Sequence, residues 1–259
     1  MLSEVKGLII KTVDIKENDR LITIFTEERG VLTALARGAR SLKSRKMSST
    51  MQFCYSNFVL YEQGDKLWVR EAELIESFFN IRNSIDGLAL AAYIAEILSY
   101  VTVETAEREL LRLSLNSLYA ISSEKYSLEK IKAVFEIRAA SILGFMPDLL
   151  SCRECGKREG DFIFDIMGGS LECPDCRRKR EEEGREREMP HEATVACILS
   201  EGAKHALGYA VHSPPTRIFS FNISDEDMKF MSRAAESYLL NQLGHSYKTL
   251  EFYNSVKRK

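Results

Sequence analysis

Nowhere in the chain does Gly-x4-Gly-Lys-Ser/Thr occur, and with it goes the backbone cradle that a P-loop ATPase uses for its phosphates. Histidine is scarce: His191, His205, His212 and His245 form no ligand pair and no triad spacing, and no nucleophile comes with a recognisable base. Glu71 and Glu73 alternate on one strand face and read as a solvent face rather than an acid–base pair. Long apolar runs are missing as well. The longest, Leu88 to Val103, is interrupted by Glu96 and falls short of the roughly 20 residues that cross a bilayer. Met1-Leu2-Ser3-Glu4-Val5-Lys6 has no basic stretch leading into an apolar one, so no secretory signal is expected. These absences point away from an enzyme and from a membrane protein, toward a cytoplasmic binding protein.

Charge of one sign is absent only locally. The whole chain is nearly neutral, at −2, yet the 33 residues from Arg29 to Tyr61 contain no Asp or Glu. The same stretch holds Arg29, Arg37, Arg40, Lys43, Arg45 and Lys46. Cations concentrated on one short segment of a neutral chain make a local field, and a polyanion is the partner such a field attracts best. Runs of Lys and Arg also simply keep loops solvated, so the setting of this one matters. Its centre, Arg37 to Lys46, reads as a flexible basic loop between strands.

That setting is strand-like from Glu4 to about Leu74. Val5–Val13, Leu21–Thr26, Val31–Ala36, Phe53–Glu62 and Leu67–Leu74 are β-rich runs separated by Asn18-Asp19-Arg20, Glu28-Arg29-Gly30, the basic loop and Gln63-Gly64-Asp65. Five short strands in some seventy residues suggest a small closed barrel, of SH3-like or OB type. In an OB-type barrel a groove holds single strands, with cations for phosphates and aromatic faces for bases. Phe53, Tyr55, Phe58, Tyr61 and Trp68 follow the loop; most such aromatics fill barrel cores, and Trp68, beside a turn, is the exception to expect.

Beyond Ser84 the period becomes helical. Leu88, Ala91, Ala92, Ala95 and Leu98 recur at helical spacing, as do Leu110, Leu111, Leu115 and Leu118, and a third helix runs from about Ser127 to Gly144. Further helices are expected over Thr194–Ala206 and from a Ser224 cap to Leu243, with Pro214-Pro215 between them. Tyr247 to Tyr253 suits a tail packed back on the bundle.

Six cysteines fit a metal better than disulfides in a reducing compartment. Cys152-x2-Cys155 and Cys173-x2-Cys176 are two knuckles, joined by a hairpin through Phe162–Asp165, Gly168-Gly169 and Ser170–Glu172. This is the spacing of a zinc ribbon. Four thiolates close a tetrahedron and leave no place for an activated water, so the zinc should be structural, standing in for a hydrophobic core. Cys54 and Cys197 read as buried fillers. Arg177 to Glu188 mixes both signs and reads as a solvated linker or helix extension.

The order of parts, and the words Gly7-Leu8-Ile9-Ile10-Lys11, Glu17-Asn18-Asp19-Arg20-Leu21, Phe25-Thr26-Glu27-Glu28-Arg29-Gly30, Ala36-Arg37-Gly38-Ala39-Arg40 and Leu143-Gly144-Phe145-Met146-Pro147 before Cys152, resemble the RecO family of bacterial DNA repair proteins. The resemblance implies an α+β multidomain chain. Its parts are a five-stranded OB-fold nucleic-acid-binding domain over 1–80, a helical domain over 81–148 and 190–259, an inserted zinc ribbon over 149–176, and a charged linker over 177–189. It implies a recombination mediator, not an enzyme, found in the cytoplasm with the nucleoid. Such a protein binds single- and double-stranded DNA, anneals complementary strands, and acts with RecR to load RecA on DNA covered by single-stranded DNA-binding protein. Arg37, Arg40, Lys43, Arg45 and Lys46 are the expected phosphate contacts. Lys132, Arg138 and Lys248 are candidates for gripping the acidic, apolar C-terminal tail of the single-stranded DNA-binding protein. A zinc-ribbon RNA-binding or transcription-associated module is the alternative. A zinc hydrolase or deaminase would need a ligand set with an exchangeable water and a His-x-Glu partner, which this chain does not offer.

Overall fold

The computed structural model describes residues 2–101, 107–183 and 196–257. They fall into two compact units, Met1–Leu128 with Tyr247–Lys259, and Glu129–Ser246.

The first unit is built on a closed barrel of β1 (Leu2–Ile15), β2 (Asp19–Thr26), β3 (Val31–Ala36), β4 (Tyr55–Gln63) and β5 (Lys66–Glu76), in the order β1-β2-β3-β5-β4. Closure comes from a short parallel pairing of β3 with β5, Ala34 opposite Leu67 and Leu35 opposite Trp68. β1 serves two neighbours in turn: Leu2 to Leu8 pairs with β4, and Gly7 to Ile15 with β2. A bulge between Ile9 and Lys11 bends it from one to the other. Ile9, Ile22, Ile24, Phe58, Leu60 and Val69 fill the interior, so in β2 it is Ile22 and Ile24 that face the core. Phe25, on the opposite face, is also buried, because α2 packs against β2 there.

Gly7 stands where β1 passes from one partner to the next. A Cβ there would lie 2.3 Å from Ile24 Cγ2 and 2.8 Å from the Phe25 carbonyl oxygen. The carbonyl belongs to the ladder and cannot retreat. Gly7→Ala is therefore expected to destabilise the barrel by about 1–3 kcal/mol. An unchanged urea midpoint would show that β1 can shift to admit a methyl group.

The expected fourth strand begins two residues late. Phe53 is left-handed, at φ 64°, and its N–H and the Cys54 carbonyl both bond Ile9 at 2.9 Å, so these residues serve the β1 bulge before β4 starts. Three helices belong to this unit: α1 (Ile85–Tyr100), α2 (Glu107–Ser123) and α7 (Lys248–Val256). Ser84 Oγ caps α1, accepting from the Gly87 N–H at 3.1 Å. The face α1 buries includes Ala91, Ala95 and Leu98 as expected, but Tyr93, Ile94 and Ile97 carry it, and Leu88 is 40% exposed. α7 does pack back, on α1: the Glu96 carboxylate accepts from both the N–H and the hydroxyl of Thr249, capping a helix whose own Tyr247 cannot.

The second unit combines α3 (Leu128–Ile142), the sheet β6-β8-β7-β9 (Asp148–Cys152, Ser170–Glu172, Phe162–Asp165, Ala196–Leu199), α4 (Pro174–Glu182), α5 (Glu201–His212) and α6 (Asp225–Leu243). Periodicity located the helices α3 and α6 but could not say which neighbour covers each apolar face. Those of the expected 81–148 and 190–259 domain are shared out, α1, α2 and α7 with the barrel and α3, α5 and α6 with the ribbon. The helix expected over Thr194–Ala206 is a strand, then a helix. Ala196–Leu199 pairs with β7, and Ser200 Oγ caps α5 by accepting from the Ala203 N–H; Thr194 and Val195 lie outside the described residues. A continuous apolar run of four residues, Ala196 to Leu199, cannot be told by periodicity from the helical pattern that follows it. The charged run from Arg177 is helical through Glu182 in α4, and 184–189 of the expected linker lie outside the described residues. Among the described residues no helix is long and apolar enough to cross a membrane.

Candidate nucleic-acid interface and metal centre

The loop from Arg37 to Met47 is folded into turns. Ala39 is fully buried in the barrel core, and three successive turns follow, closed by Ser41 N–H to Gly38 O, Ser44 N–H to Ser41 O and Met47 N–H to Ser44 O. The loop is tied to the β1–β2 turn by Gly38 N–H to Asp19 Oδ1 at 2.8 Å and Arg40 N–H to Asn18 O at 3.0 Å.

This anchoring divides the five expected phosphate contacts. Arg40 Nε lies 3.2 Å from Asp14 Oδ2, and its Nη1 donates to the carbonyls of Lys16 and Glu17 at 3.3 and 3.1 Å. Asp14 also pairs with Arg20 at 3.0 Å, so one carboxylate clamps two arginines, and Arg40 holds the loop down. Lys46 is half-buried with Nζ 3.4 Å from the Val69 carbonyl; burial lowers its pKa, against the pull of Asp19. Arg37, Lys43 and Arg45 are exposed, and among the described residues no carboxylate lies within ion-pair distance of any of them. Leu42, next to Lys43, is 91% exposed. Arg29 is not part of this surface. It sits on the β2–β3 turn, at the opposite end of those strands, and donates to Ser3 Oγ.

Beside the loop, sequence reading missed Arg70 and the contact that Arg37 makes with Trp68, a ring it had singled out. Arg70, Arg45 and Lys46 line a groove of about 670 Å³ together with Glu4, Glu71 and Glu73, so the flank toward β5 is of mixed charge. Glu71 and Glu73 are exposed there as expected. Arg37 lies over the Trp68 ring, 4.2 Å from its centroid. A tertiary contact across 31 positions leaves no mark in the local pattern, and neither does the Asp14 clamp.

In the second unit the four thiol sulfurs of Cys152, Cys155, Cys173 and Cys176 lie within 4.8 Å of one another. Cys155 Sγ and Cys173 Sγ are 3.7 Å apart, close to the roughly 3.8 Å edge of a tetrahedron with metal–sulfur bonds of about 2.3 Å, and far too long for a disulfide. Backbone N–H groups already aim at sulfur: Cys173 N–H at Cys152 Sγ and Cys176 N–H at Cys173 Sγ, the second being the N-cap of α4. Burial would push the Cys152 thiol up, but backbone N–H groups at Cys155, Cys173 and Glu154 outweigh it and bring it down to about 7. Cys173, through burial, and Cys176, through its sulfur neighbours, are pushed up instead. Four such groups ionise together only around a cation, so the donor set fits a divalent metal with no open position. Cys54 is buried; Cys197, half-buried in β9, is pushed up to about 11 by burial and lies outside the cluster.

Of the three residues expected to grip a peptide tail, Lys132 and Arg138 belong to the second unit and Lys248 to the first. The side chain of Lys132, 3% exposed, is held between Glu136 at 2.8 Å and Glu236 at 2.6 Å; burial lowers its pKa, and the two carboxylates more than restore it. Arg138 Nη1 donates to the carbonyls of Ala210, Val211 and Ser213, satisfying the C-terminal end of α5. Lys248 is exposed, in the first turn of α7. Lys132→Ala is expected to cost about 3–5 kcal/mol by removing the buried cation that bridges Glu136 and Glu236. Calorimetry checks this, and a melting temperature within a degree of the parent chain would contradict it.

Comparison with known proteins bears on both units. Residues 1–78 match the family model for recombination protein O, N terminal, and residues 82–251 that for recombination protein O, C terminal. A DNA repair protein RecO of Acetivibrio thermocellus is 37% identical over 97% of this chain and 96% of its own length. Those of Clostridium novyi and Clostridium acetobutylicum are 28% and 26% identical over 98% of the chain, covering 94% and 98% of their own lengths. On the match of both family models and the 37% identity over nearly its whole length, this chain, with its closed five-stranded barrel and four-cysteine cluster, belongs to the recombination protein O family of DNA repair proteins.

Proposed function

We propose that this chain is a recombination mediator that binds single- and double-stranded DNA through the barrel's basic loop and anneals complementary strands. With RecR it would promote loading of RecA on DNA covered by single-stranded DNA-binding protein. The observation that carries the reading is the presentation of Arg37, Lys43 and Arg45, unpaired among the described residues, on a loop locked to the barrel by Ala39 and the Asp14–Arg40 pair. Annealing requires no bond to be made by the protein. It requires the repulsion between two phosphate backbones to be lowered while the strands find register, and fixed cations do that by releasing counterions. Exposed Leu42 adds an apolar contact suited to the bases of an unpaired strand.

In this reading residues 1–80 are the nucleic-acid-binding domain, and 149–176 form a structural ribbon holding one zinc. The protein works in the cytoplasm, at the nucleoid, and catalyses no covalent step: the cysteine set is complete without a solvent ligand. Lys248, the exposed member of its trio, is the residue to test first for contact with the acidic tail of the single-stranded DNA-binding protein. The experiment is a strand-annealing assay with labelled complementary strands, run with and without that tail peptide and with RNA as competitor. Acceleration of annealing is expected. No acceleration, or RNA outcompeting DNA, would overturn the reading in favour of an RNA-binding module.

A further inference from the structure

The only tryptophan of the chain, Trp68, stands in β5, which lies between β3 and β4 in the barrel. Tyr61 of β4 is its direct cross-strand partner, and the two rings stack with centroids 6.3 Å apart and planes 19° from parallel. On the other side its partner is Leu35 of β3, and Arg37, two residues further on, lays its guanidinium over the indole at 4.2 Å from the centroid. The strand order therefore brackets the ring, Tyr61 on one flank and Arg37 on the other. Trp68 is half-buried and takes no part in the core that Ile9, Ile22, Ile24, Phe58, Leu60 and Val69 make. Its Nε1 is buried with no acceptor among the described residues. A buried donor left unpaired is a cost that phenylalanine would avoid, so the position uses the indole for its face and not for its N–H.

We infer that Trp68 is a nucleobase-stacking subsite covered by Arg37: when a single strand binds, the guanidinium leaves the ring for a phosphate and a base takes its place on the indole. The inference rests on the nucleic-acid reading above and adds to it a site that takes an unpaired base. An exposed cation–π contact is weaker than stacking of a base on an aromatic ring, so the exchange runs toward the bound state, and the displaced cation gains a charged partner. Arg37 is free to make the move because it is exposed and, among the described residues, pairs with no carboxylate. In the unbound protein the same contact keeps a large apolar face covered.

The test uses the whole chain and its single-tryptophan emission. A thymidine oligomer and an abasic deoxyribose-phosphate oligomer of equal length and charge are titrated in, with the emission of Trp68 and the anisotropy of a dye on the oligomer read together. Both should bind, the thymidine oligomer roughly 5- to 150-fold tighter, and it should change the emission by more, because both offer Arg37 a phosphate but it alone can stack on the ring. Trp68→Leu should bring the affinity ratio close to one, while Trp68→Phe, which keeps a ring, should retain most of it. Equal emission changes with the two oligomers, or a ratio near one in the unsubstituted chain, would overturn the subsite and leave nucleic-acid binding standing. No anisotropy change with either oligomer would overturn the nucleic-acid reading and the subsite with it.

Discussion

Replacing Cys173 with alanine should release the metal, expected as one zinc per chain, and lower stability by on the order of 4–5 kcal/mol, among the largest effects of a single substitution. Cys173 does three things at once. It supplies one of four sulfurs, its thiol caps α4 by accepting from the Cys176 N–H, and its own N–H is directed at Cys152 Sγ. Without it, three thiols remain within 4.8 Å of one another with one corner open. The damage should be local first. The hairpin of β7 and β8 is not coreless, as the expectation of a metal replacing a core would have it: Phe162, Phe164 and Leu171 are fully buried, and Phe164 meets Tyr238 of α6 with ring centroids 5.3 Å apart. Hydrogen exchange should therefore rise through 152–157 and 173–176 before it rises in β7. Cys197→Ala, outside the cluster, should keep the full metal content. Metal content unchanged in Cys173→Ala would dismiss the four-sulfur site, and loss of metal without any gain in exchange would dismiss its structural role.

The contrast between the two Cys-x2-Cys knuckles and the basic loop shows what kind of information a sequence carries. Spacing of two between cysteines is a local constraint on backbone geometry, and the structure brings the four sulfurs of the two knuckles within 4.8 Å of one another. The alternation in β2, the Ser224 cap of α6 and the Gly64 turn are equally local, and each is found where its residues put it. What is decided by partners far along the chain was not legible. Asp14 lies 26 positions from Arg40, and no pattern around either says that one neutralises the other. Lys132 reads as a cation open to an acidic partner until Glu236, over a hundred residues away, is placed beside it. Cation content was visible; which cations are available to a ligand required the fold.

Charge reversal on the loop tests that distinction directly. Arg37→Glu, Lys43→Glu and Arg45→Glu combined should weaken binding to single-stranded DNA on the order of 100-fold at moderate salt. The slope of log affinity against log salt should flatten by about 2, at roughly 0.7 per phosphate contact. Thermal stability should hold, because none of the three has a carboxylate partner among the described residues. Arg40→Glu should behave in the opposite way: it sets a carboxylate against Asp14 and removes donors to the Lys16 and Glu17 carbonyls. A fall in stability of about 1–3 kcal/mol is expected there, with DNA binding lost only as the loop loosens. Because Arg37 also covers Trp68, the pair Lys43→Glu and Arg45→Glu should be measured alone; it should account for about two-thirds of the slope change and leave the emission response to thymidine intact. Unchanged affinity and slope in the triple variant would mean that DNA follows another path over the barrel. The groove holding Arg70 is then the next place to look, although Glu4, Glu71 and Glu73 make its field weaker than that of three unpaired cations on a folded loop.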